Sequence, residues 1–85
     1  MSKYITKSTA LCIVKIRTNR NLTQDSFAEL CGITKQTVAA WENGRNTISA
    51  KTLTKLSKKL KKEEIIDIFK AIETDKSMRK SSKIG

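Results

Sequence analysis

The stretch Gln24-Asp25-Ser26-Phe27-Ala28-Glu29-Leu30-Cys31-Gly32-Ile33-Thr34-Lys35-Gln36-Thr37-Val38-Ala39-Ala40-Trp41-Glu42-Asn43 decides the fold of this chain. It reads as two short helices joined by a tight turn. Thr23 stands before the first helix as a candidate N-cap, and Asp25 lies in the first turn, where the helix dipole favours an acid. Phe27, Leu30 and Cys31 recur at helical spacing on one face. Gly32 interrupts that pattern, and a glycine just past a helix readily takes the left-handed conformation that ends it. Thr34 is a candidate cap for the second helix, in which Val38 and Trp41 lie on one side. Lys35, Gln36, Ala39 and Ala40 occupy the other sides, and Asn43-Gly44 brings turn chemistry to the end.

Two helices crossing at a glycine turn, the second with small and polar residues outward, follow the plan of a helix offered to the DNA major groove. Leu22-Thr23-Gln24, Phe27-Ala28, Gly32-Ile33-Thr34, Val38 and Trp41-Glu42-Asn43-Gly44 resemble the Cro/lambda-repressor type of helix-turn-helix domain, the Xre-like family. The small Ala28 suits the crossing of the two helices. The likeness runs back to Ile13, Ile16 and Arg17 and forward to Leu53, Leu56 and Leu60. It implies an all-α, compact five-helix repressor-type domain, with helices 2 and 3 forming the helix-turn-helix.

The charge balance agrees with that implication. The chain has 85 residues, with 18 Lys and Arg against 8 Asp and Glu, a net charge of +10. Such an excess attracts phosphate backbones or anionic membranes and does not dictate a fold. The length suits one small domain with no separate sensor. Histidine is absent, which removes the commonest general base and metal ligand. Cys12 and Cys31 are far apart and form no metal-like cluster, so they read as buried thiols, which suits a reducing cytosol. No cofactor or metal is expected. No apolar run approaches the length of a membrane span.

Met1–Lys7 reads as a loose, frayed arm, the alternative being that Tyr4 tacks it to the body. Leu11–Ile16 is apolar except for Lys15, a pattern that fits a helix or a strand; the resemblance implies a first helix from Ser8 or Thr9 to Arg20-Asn21, with Ala10, Ile13 and Ile16 inward and Leu22 closing the gap after it. The family pattern sets Arg17 beside Glu42, where a guanidinium and a carboxylate can form two parallel hydrogen bonds as a brace between helices 1 and 3. Ile48 stands where the family often has proline. Ser49 is a candidate cap for a fourth helix carrying the stripe Leu53, Leu56 and Leu60. Its other faces hold Lys51, Lys55, Lys58, Lys59, Lys61 and Lys62, which ordinarily form a solvated surface. Glu63 and Glu64 open a fifth helix with a wide apolar stripe from Ile65 to Ile72. The folded domain is expected over residues 1–74, and residues 75–85 as a basic, disordered tail.

The resemblance makes operator DNA the expected partner. Lys35 and Gln36 can read guanine and adenine edges in the major groove. Thr34, at the start of the recognition helix, and Thr37 are candidates for base-edge or phosphate contact, and Ala39 and Ala40 for close approach or a thymine methyl. Gln24, Asn43 and Arg45 would hold the flanking phosphates, fixing register rather than sequence. So short a helix reads few base pairs, which implies a homodimer on a palindrome with half-sites about 34–36 Å apart. Ile66 and Phe69, on the outer edge of the fifth helix's stripe, are the candidate dimer interface. The expected role is a cytoplasmic, nucleoid-associated transcriptional repressor. The rival is an antitoxin or other interaction module that binds a protein partner and regulates itself through DNA. An enzyme is remote, since no phosphate-cradling loop, second acid or nucleophile accompanies Glu42.

Overall fold

Five helices make up the protein in the computed structural model, which describes residues 7–84, with side chains as far as Ser77. They are α1 (Ser8–Asn19), α2 (Gln24–Cys31), α3 (Lys35–Glu42), α4 (Ala50–Ser57) and α5 (Lys62–Ile84). The class is all-α, and α2 and α3 form the helix-turn-helix.

The helices begin where the sequence supplies a side-chain acceptor. Thr23, Thr34 and Ser49 each accept from the backbone N–H three residues on, at Ser26, Thr37 and Thr52. Such a cap contributes about 1 kcal/mol. At α5 the direction reverses, and Glu64 reaches back to accept from the Lys61 N–H at 2.8 Å. Helix α1 has no side-chain cap of its own at Lys7.

The first three helices stop in one way. Asn21, Gly32 and Gly44 take left-handed backbone, with φ of 59°, 72° and 73°. In each case the next N–H returns into the helix: Leu22 to Arg17, Ile33 to Ala28 and Arg45 to Ala40. This is the Schellman arrangement, in which a left-handed residue lets orphan carbonyls be satisfied. Leu22 and Ile33, just past the first two stops, pack against the core. Arg45, just past the third, is exposed.

Packing closes around a core drawn from all five helices. Ile13, Phe27, Val38, Leu56 and Ile68 are fully buried, and Trp41 nearly so. Helix α1 packs on α5 and α3, α2 on α3, and α4 on α5. Helices α1 and α5 are antiparallel, because Arg20 meets Glu64 at one end while Ser8 meets Asp75 at the other. Ile48 is buried and joins the core, so the position where the family often has proline serves as an apolar plug. Burial pushes the Cys31 thiol up to about 11 and also raises that of half-buried Cys12, helped by the nearby Asp67 charge. Both are packing groups rather than nucleophiles.

One boundary differs from the sequence reading. Helix α4 ends at Ser57, so Leu60 lies beyond it, in a turn without Gly or Pro that still carries its side chain into the core. Helix α5 runs on past Asp75 to Ile84. That segment holds no Pro or Gly before its end, and an established helix lengthens at little cost through good helix formers such as Lys, Met and Arg. The arm read from Met1–Lys7, with Tyr4, lies outside the described residues except for Lys7.

Candidate nucleic-acid interface

Helix α3 presents one face to solvent because its other face is fixed. Val38 and Trp41 are buried. At 3.6 residues per turn, Gln36, Ala40 and Asn43 then form the opposite ridge. Gln36 and Asn43 are exposed, and Ala40 between them is half-buried. The methyl group there keeps the middle of the ridge low. Ala39 beside it is also half-buried. The ridge therefore carries one amide at each end, with room for close approach between them.

The start of α3 is crowded with donors. Thr34 and Lys35 are exposed. Thr34 Oγ1 lies 2.9 Å from Thr37 Oγ1 and also accepts the Thr37 N–H. One hydroxyl hydrogen is used between the two threonines and the other is left for an outside acceptor. Lys35 Nζ approaches Asp25 at 3.9 Å, but both groups are more than half exposed, so the pair is weak and the lysine is open to a stronger anion.

Behind this face lies a hydrogen-bonded frame. Arg17 Nε donates to Glu42 Oε2 at 2.7 Å and Nη2 to Oε1 at 3.1 Å, while Nη1 donates to the Leu22 carbonyl at 3.0 Å. Gln24 Nε2 donates to Glu42 Oε1 at 2.9 Å. The Arg17–Glu42 pair at the end of α3 thus ties together α1, the start of α2 and the loop between them. Gln24, expected from the family pattern only as a phosphate contact, is half-buried and belongs to this frame. Its amide keeps a second N–H for an anion.

Asn43 and Arg45 flank the left-handed Gly44 and are both exposed. The carbonyl of Gly44 accepts from Lys7 Nζ at 3.0 Å. Sequence reasoning missed this contact, along with the pairing of Arg20 with Glu64 at 2.6 and 3.0 Å. The two hydrogen bonds from Arg20 hold the Glu64 carboxyl below the usual carboxylate range. No local pattern could have signalled either, because the partners lie far apart in sequence.

The face holds donors and small side chains and no catalytic constellation. Among the described residues no group of His, Cys, Asp or Glu could hold a metal ion. No helix among the described residues is long and apolar enough to cross a membrane. On α5, Ile68 is fully buried and Ile65 and Ile72 pack on the core, whereas Ile66 and Phe69 remain exposed, at 44% and 52%.

A protein-family profile described as helix-turn-helix matches residues 13–66, from within α1 to the first turn of α5. No curated protein and no solved structure matches the chain.

Proposed function

The chain belongs to the helix-turn-helix family of DNA-binding, non-catalytic domains, and we propose that it is a transcriptional repressor, two copies of which occupy a palindromic operator. The observation that carries this reading is the ridge of Gln36, Ala40 and Asn43, set opposite Val38 and Trp41 and flanked by exposed Lys35 and Arg45. In the proposed complex α3 lies in the major groove. Gln36 pairs with adenine N6 and N7, and Lys35 donates to guanine O6 and N7. Thr34 and Thr37 offer their remaining hydroxyl hydrogen to a base edge or phosphate. Ala39 and Ala40 admit a thymine methyl. Gln24, Asn43 and Arg45 take the phosphates on either side.

Two copies are proposed because one short helix with two alanines reads too little sequence to be selective. The apolar pair Ile66 and Phe69 supplies the self-complementary surface that a two-fold contact requires. Repression is steric, by occupation of the operator in the cytoplasm. Selection of bound duplexes from random DNA, followed by footprinting, tests the reading. A palindrome with half-sites about one helical turn apart supports it. Failure to enrich any sequence, or recovery of single unpaired half-sites, overturns the homodimer operator. A second protein co-purifying in fixed ratio, lost on mutation of Ile66 and Phe69, would instead assign that face to a protein partner, as an antitoxin requires.

A further inference from the structure

The N-terminus of α1 is held by the far end of the chain. Asp75 Oδ1 accepts the Ser8 N–H at 2.6 Å and Oδ2 accepts the Thr9 N–H at 3.0 Å. A carboxylate on α5 thereby does for α1 what Thr23, Thr34 and Ser49 do locally for α2, α3 and α4, and it sits where the helix dipole favours a negative charge. The residue immediately before Ser8 is Lys7, and its Nζ donates to the Gly44 carbonyl. Gly44 is the left-handed stop of α3, with Asn43 on one side and Arg45 on the other. Asp75, Ser8, Lys7 and Gly44 thus form a continuous line from α5 to the end of the recognition helix. Asp75, Lys7, Ser8 and Thr9 all lie outside the stretch that matches the family, residues 13–66.

We propose that Asp75 is a positioning residue for DNA binding: by fixing the first turn of α1 it holds Lys7 on the Gly44 carbonyl, and so sets the loop that carries Asn43 and Arg45 against the phosphates. The proposal rests on the reading of α3 as the recognition helix and adds to it a function for the helix beyond the family match. It makes a prediction of unexpected sign. Removing a carboxylate from a chain of net charge +10 should tighten binding to any polyanion if charge alone mattered. The clamp requires the opposite.

The test uses the full chain, at a temperature where circular dichroism shows every variant folded. Affinity for a selected operator and for a random duplex is measured across a range of salt concentrations. Asp75→Ala is expected to weaken both duplexes by the same factor, about threefold or more, since phosphate contacts carry little sequence information. The slope of log affinity on log salt should fall by about 1 for each phosphate that the variant no longer neutralises. Lys7→Met should lose affinity similarly, Lys7→Arg should keep it by preserving the donor, and the double variant should lose no more than the worse single. A folded Asp75→Ala that binds as well as or better than the wild type overturns the clamp, and so do losses that simply add in the double variant. Should Asp75→Ala not fold, Asp75→Asn, which keeps one acceptor oxygen, replaces it in the same cycle. A wild type that binds no duplex overturns the recognition-helix reading and the clamp with it, whereas a binding wild type with an indifferent Asp75 overturns the clamp alone.

Discussion

Arg17 and Glu42 face each other through two hydrogen bonds, of 2.7 and 3.1 Å, with side chains only 18% and 8% exposed. The guanidinium also holds the Leu22 carbonyl, and the carboxylate also takes the Gln24 amide. Each charge is therefore both paired and further solvated by protein groups, the condition under which a partly buried ion pair holds a geometry instead of straining it. The pair fixes the angle between α1 and α3. Arg17→Met or Glu42→Gln should destabilise by more than the roughly 0–1 kcal/mol of an exposed pair, towards the roughly 3–5 kcal/mol of a fully buried one. Denaturant unfolding of both singles and the double closes the cycle, and zero coupling would falsify the brace.

Gln36 stands at the exposed start of the α3 ridge and touches no other element by hydrogen bond among the described residues. Its loss should therefore spare the fold and strike readout. Gln36→Ala is expected to cost about 1–3 kcal/mol on the selected operator and almost nothing on random duplex. An equal loss on both duplexes would move Gln36 from base reading to backbone contact.

Gly32 ends α2 with φ of 72°, and a Cβ built there would meet no atom within 4 Å. The penalty for a side chain is therefore one of backbone strain, not of space. Gly32→Val should lower stability by about 1–2 kcal/mol. Gly32→Asn should cost less, since Asn tolerates the left-handed region and Asn21 already occupies it at φ 59° in this chain. Thermal unfolding of both variants checks the order. Equal losses would point to side-chain packing rather than φ.

Arg20 lowers the Glu64 carboxyl by hydrogen bonding, and the Lys61 N–H adds to the effect. A carboxyl whose folded value is depressed stabilises the fold at pH above its unfolded value, near about 4.3, and loses that contribution as pH falls through the folded value. The melting temperature should drop on acidification through this window, and Glu64→Gln should drop less from its own starting point. Parallel curves for the two proteins would show that Glu64 contributes nothing to the acid sensitivity.

What could be read in the sequence was what is encoded within a turn or two of chain. Thr23, Thr34 and Ser49 announce helix starts because a hydroxyl satisfies an N–H three residues away. Gly32 and Gly44 announce stops because of what their own backbone tolerates. The core residues Phe27, Val38 and Leu56 follow from periodicity, whereas Ile13 follows from the family resemblance. The pairings that escaped are long-range and polar: Gln24 with Glu42, Arg20 with Glu64, Asp75 with Ser8 and Thr9. A lone Gln, Arg or Asp gives no local hint of a partner on another helix. The turn between α4 and α5 was legible only through the family pattern, since no Gly or Pro marks it in the chain. A basic, polar run such as the one after Asp75 can be helical when it extends a helix that packing has already formed.

Helix α5 divides its apolar side chains into two sets, and the division supports the last prediction. Ile68 is fully buried, Ile65 and Ile72 pack on the core, and Ile66 and Phe69 stand 44% and 52% exposed on the side turned away from it. Substituting the exposed pair removes little of the monomer's own burial, so the change should leave the fold intact. It also removes the two large apolar side chains exposed on α5 among the described residues, the kind of surface that an interface core requires. Ile66→Lys with Phe69→Ser is therefore expected to keep the helical spectrum, to sediment as a monomer where the wild type sediments as a dimer, and to bind the two operator half-sites independently. Sedimentation at protein concentrations on the order of 10–100 µM brackets the affinity of a functional weak dimer. A wild type that is monomeric throughout that range, or a double variant that unfolds, would show that this face serves the monomer alone.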